Sequence, residues 1–123
     1  MKTTLNKIEK FQNAAHTYFI RVKEDSQLKY AINKQKEFID AIIKKTKSQV
    51  RDIEYSLCAV DKDKHIIRDE YGRLKFTREL QIELEKKINE LMELDIEIDN
   101  YIISEIPNDL TEEEKQSFEG FVI

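Results

Sequence analysis

The apolar positions Leu28, Ile32, Ile39, Ile42, Val50, Ile53 and Leu57, with Gln35 and Thr46 filling two gaps, follow one another in steps of three and four. That spacing holds one face of an α-helix, and it predicts a helix over residues 26–58 with Ser26 as its cap. At about 1.5 Å per residue such a helix runs roughly 45 to 50 Å, longer than one compact core covers. Its apolar seam is satisfied either by shorter helices of the same chain or, over the surplus length, by a second copy or another protein.

The same period recurs at Leu5, Ile8, Phe11, Ala15, Tyr18, Phe19 and Val22, and predicts a first helix capped by Thr3 or Thr4. The polar run Lys23, Glu24, Asp25, Ser26 breaks it, and a connection this short favours an antiparallel neighbour. A third stripe, Leu80, Leu84, Ile88 and Leu91, follows Thr77 as N-cap and predicts a helix over 77–92 that folds back on the long one. Between them, His65 to Arg68 and Arg73 to Phe76 flank a Gly-bearing segment, Asp69-Glu70-Tyr71-Gly72, and read as a β-hairpin. Leu94, Ile96 and Ile98 alternate with Asp95, Glu97 and Asp99 in the period of a half-buried strand, expected to pair with that hairpin. Thr111 and Glu114 are spaced as a capping box, Gly120 as a C-terminal stop, and Phe118 and Phe121 face inward.

The fold class that follows is α+β and predominantly helical. It comprises a long antiparallel helical hairpin plus an N-terminal helix, a small antiparallel β element (hairpin about 64–77, strand about 94–103) and a short C-terminal helix. With 123 residues, two Gly and one Pro, residues 1–123 are read as a single domain. A charged fraction of 37% exceeds the roughly 25% of ordinary globular chains, which fits elongated helices with much solvated surface.

Charge is unevenly placed. Between Leu28 and Arg51 seven bases face two acids, whereas from Glu79 to Glu119 fourteen acids face three bases. The two regions are complementary, although exposed pairs add only about 0 to 1 kcal/mol each and would set register more than stability. The candidate interaction surface is therefore Lys44, Lys45, Lys47 and Arg51 on the long helix, together with Glu97 and Asp99 on the acidic strand. The basic cluster is read as a solvated helix end favourably placed in the helix dipole. Against DNA or RNA stand the acidic chain and the lack of interleaved aromatic residues.

Candidate chemistry is sparse. One Cys and two distant His fall short of a zinc site, and no G-x-S-x-G or phosphate loop is present. Asp61 and Asp63 suggest a calcium loop, but that loop would require Gly and Glu where Ile66 and Gly72 stand. No cofactor, metal or catalytic residue is assigned. Cys58 reads as a small buried apolar residue and His16 as a surface one. No window approaches the roughly eighteen apolar residues of a membrane span, and the chain is expected in the cytosol.

The Glu54-Tyr55 stretch, the "DEYGRLKF" turn at 69–76, "ELQIELEKKINELMELDIEID" at 79–99 and the ending "LTEEEKQSFEGFVI" at 110–123 resemble a family of short uncharacterised tailed-bacteriophage proteins. Leu91-Met92 and Leu110-Thr111 with Glu114 match that pattern, and Phe118 departs from its usual Leu. The resemblance implies expression in the cytoplasm of a bacterial host, or a place in the virion, and carries no catalytic residue. The expected function is non-enzymatic protein–protein binding, in virion assembly or as an accessory factor, with itself or with another phage or host protein. One alternative is an inhibitor of a host system acting through its acidic C-terminal surface. A third reading has the basic long helix contact nucleic acid.

Overall fold

A computed structural model describes residues 1–123. The order is β1 (Lys2–Thr3), α1 (Leu5–Arg21), α2 (Gln27–Leu57), α3 (Arg78–Glu93), β2 (Ile96–Glu97) and α4 (Glu112–Phe118). With 58% of the chain helical and one two-stranded antiparallel sheet, the class is α+β and predominantly helical. The helices start where their caps predict. The Thr4 hydroxyl accepts from the Lys7 N–H, Ser26 Oγ from Lys29, Thr77 Oγ1 from Leu80 and Thr111 Oγ1 from Glu114.

The chain divides into two compact units, Met1–Ile43 with Glu93–Ile123, and Lys44–Met92; α2 contributes to both. In the first unit the core is aromatic. Phe118 of α4 meets Phe11 and Tyr18 of α1 edge-on, at centroid distances of 5.6 and 6.1 Å, and Phe121 lies 4.7 Å from Phe11. Such pairs add about 0.5–1.5 kcal/mol each beyond the area they bury. They make α4 the closest helical neighbour of α1. The short 22–26 connection suggested α2 for that place, but aromatic bulk decides it. Leu28, Ala31, Ile32 and Ile39 of α2 are fully buried in the same unit.

The β element differs from its sequence expectation. β2 pairs with β1 (Lys2 opposite Glu97, Thr3 opposite Ile96), not with the 64–77 hairpin, and only two of residues 94–103 are strand. Residues 101–103 continue extended beside the chain end, where the Tyr101 and Ile103 N–H groups donate to the Phe121 and Val122 carbonyls. Gln35 holds this arrangement from inside. Its amide donates to the Asp99 carbonyl at 2.9 Å and accepts from the Tyr101 N–H at 3.1 Å, so a buried polar residue on the seam serves as a backbone clamp.

In the second unit the predicted hairpin forms no strands: one isolated antiparallel bridge, Arg68 to Leu74, lies within it, and a second, Val60 to Ile66, joins it to the residues after α2. Its backbone closes a ring of hydrogen bonds: Ala59 donates to Lys75, Lys75 to Ile67, and Ile67 to Ala59. Two turns eight residues apart make this possible. Asp61 Oδ1 accepts from the N–H groups of Asp63 and His65, and Asp69 Oδ1 accepts from those of Tyr71 and Arg73. Each turn needs a left-handed residue at its fourth position. Gly72 (φ 78°) supplies it in one turn, and Lys64 (φ 64°) adopts it in the other.

Candidate interaction surfaces

The long helix carries two opposed stripes. Ile39, Ile42, Val50, Ile53 and Leu57 share its apolar face, whereas Lys44, Lys47, Arg51 and Tyr55, in steps of three and four, run along the solvent side. Lys44, Lys45, Lys47 and Arg51 are all exposed and none forms an ion pair. Tyr55 extends the stripe. Its hydroxyl accepts from Arg68 Nη2 at 3.1 Å, and the Arg68 guanidinium lies 6.0 Å from its ring centroid. The basic cluster thus has an aromatic neighbour one helical turn beyond Arg51, and a further cation, Arg68, that helical spacing does not reveal.

Glu97 and Asp99 lie in the first unit and point into solvent, while Ile98 between them is buried. Glu97 lies 3.7 Å from the Met1 ammonium. Beyond them the acidic segment merges with an open groove lined by Gln27, Tyr30, Tyr101, Ile102, Ile103 and Ser104. Tyr30 and Tyr101 meet edge-on at 5.7 Å, and Tyr30 remains 55%, Ile102 50% and Ile106 53% exposed. Arg21 of α1 also meets C-terminal acids, a contact the sequence pattern did not suggest. It pairs with the buried carboxylate of Glu114, which also accepts from the Thr111 N–H, and lies 3.8 Å from Asp109.

Three side chains that could offer metal ligands, Asp61, Asp63 and His65, bring one donor atom each within 4.8 Å of one another. All are exposed, and Asp61 Oδ1 is already committed to two backbone N–H groups, so the cluster is explained by the turn. In the matching turn the Arg73 backbone N–H, then that of Tyr71, and the Arg73 charge hold the Asp69 carboxyl below its ordinary value. Cys58 is buried, with its Sγ toward the Tyr55 carbonyl at 3.5 Å, and His16 is exposed. No helix is long and apolar enough to cross a membrane. No protein-family model, curated protein or solved structure matches the chain.

Proposed function

We propose that the protein works without catalysis, by binding other proteins, as a bacteriophage-type assembly or accessory factor. One observation carries this reading. The chain presents two exposed surfaces of opposite charge, each with tyrosine at its edge: the stripe Lys44, Lys47, Arg51, Tyr55 and the acidic segment around Glu97, Asp99 and Tyr101. Tyr and Arg are enriched among residues that dominate binding energy, and complementary exposed charge sets specificity and encounter rate. In this reading α2 and α3, joined through the doubly turned 58–77 segment, form an antiparallel helical hairpin that stiffens the basic surface.

A second reading, inhibition of a host system, is favoured by the acidic segment alone. From Glu93 to Asp109 six acids occur without a base, a pattern suited to occupying a basic site. Analysis of particles purified from a host expressing the tagged chain separates the two. Stoichiometric recovery in particles is expected for the assembly role. Absence from particles, together with salt-sensitive binding to one host protein, would transfer the function to inhibition.

A further inference from the structure

Both surfaces belong to one chain, and their chemistry is mutually complementary. The stripe on α2 carries Lys44, Lys47 and Arg51, with Lys45 on the adjoining face and no acid between Asp40 and Asp52, and Arg68 adds a further cation beside Tyr55. The 93–109 segment carries Glu93, Asp95, Glu97, Asp99, Glu105 and Asp109 with no base. Beside it lies the open groove of Tyr30, Tyr101 and Ile102. Lys34 lies 5.8 Å from the Tyr30 ring, but it is engaged by Glu37 at 3.7 Å, so the groove has no free cation of its own.

We infer that the occupant of the groove beside the acidic segment is the basic stripe of a second copy of this chain, joined head to tail. Tyr55 of one copy enters beside Tyr30 and Tyr101 of the next, and Lys44, Lys47 and Arg51 face Glu97, Asp99 and Glu105. Charge complementarity selects this occupant. A symmetric pairing of two basic stripes, or of two acidic segments, would place like charges opposite one another. Joined head to tail in one direction, the two patches make a heterologous interface, which propagates until it closes into a ring or extends as a filament. The inference rests on the protein-binding reading and narrows it to self-assembly.

The test uses the full chain in sedimentation velocity over a concentration series, at about 50 mM and about 500 mM salt, since exposed charges are screened over about 10 Å at 0.1 M. The wild type is expected to form assemblies of several chains that dissociate at least tenfold more readily at high salt. Two neutralised variants, Lys44→Gln/Lys47→Gln/Arg51→Gln and Glu97→Gln/Asp99→Asn/Glu105→Gln, alter only exposed side chains, and helical circular dichroism confirms their folding. Each alone is expected to stay a single chain. Mixed in equal amounts they form a complex of two chains and nothing larger, because each retains one functional surface. Tyr55→Ser, which changes no charge, is expected to weaken assembly on its own. A wild type that stays a single chain at low salt, or assembly unaffected by either variant, or a mixture that stays monomeric, overturns the inference. A single chain that still enters particles or binds a host protein would remove self-assembly and leave the binding function standing.

Discussion

The two halves of α2 share one hydrophobic period and differ in what that period is worth. In the first half Leu28, Ile32, Gln35 and Ile39 have no exposed surface, while Val50, Ile53 and Leu57 in the second half are only half-buried. The difference lies in the layers available. The first unit also holds α1, α4 and the C-terminal segment, clamps residues 99 and 101 on Gln35, and encloses Phe11, Tyr18 and Phe118 completely. In the second unit Cys58 and Leu84 are the only fully buried side chains. Periodicity fixes which face of a helix turns inward; depth depends on how many other elements converge on that face.

The largest expected effect breaks this contrast if it fails. Ile39→Asp places a charge in a fully enclosed site and should cost about 4 kcal/mol, whereas Val50→Asp, able to reach water, should cost about 1 kcal/mol. Urea unfolding of both variants decides the matter, and equal losses would dissolve the distinction.

Next in size are the polar contacts that hold the first unit. Gln35→Leu removes both partners of the Asp99 carbonyl and the Tyr101 N–H, so a loss of about 2 kcal/mol is expected. Arg21→Leu leaves Glu114 buried without its counter-ion. Because Arg21 is itself partly exposed, about 2 kcal/mol is expected rather than the full cost of a buried orphan charge. Chemical denaturation reads both, with Asp109→Asn as the near-neutral control.

These two contacts also mark where the sequence stopped being informative. All four helices were legible, with Ser26, Thr77 and Thr111 as caps, because caps and stripes are local signals. The inward placement of Phe118 and Phe121 followed from the same logic. β1 was not legible, since two residues carry no period. Without β1, the nearest β-prone partner for the alternating acidic strand is the 64–77 hairpin. Gln35 looked like a gap in the seam because a buried amide is recognised only by the backbone it clamps. The charged candidates Lys44, Lys45, Lys47, Arg51, Glu97 and Asp99 were legible as exposed charge. The cation that joins the basic cluster through Tyr55 was not, because Arg68 reaches that ring across thirteen residues.

Smaller effects sharpen the picture of the second unit. Lys64 occupies the left-handed position that Gly72 fills in the matching turn, so Lys64→Gly should stabilise by about 0.5–1 kcal/mol and Gly72→Ala should destabilise by about 1 kcal/mol. Thermal unfolding gives both signs, and a neutral pair would mean that the two turns are not equivalent. Acid should loosen the second turn. The Asp69 carboxyl is held below its ordinary value, so its contribution is complete above the usual aspartate range and is lost as pH falls through the lowered value. The amide resonances of Tyr71 and Arg73 should shift there, and the transition should vanish in Asp69→Asn.

The central claim is that one continuous helix is supported deeply over its first half and shallowly over its second. Native-state hydrogen exchange along α2 tests it most directly, because amides in regions with few buried contacts exchange through local opening. Residues 32–39 should exchange only with global unfolding, and residues 50–57 at least about tenfold faster. Uniform protection from Gln27 to Leu57, or stronger protection in the second half, would contradict the account.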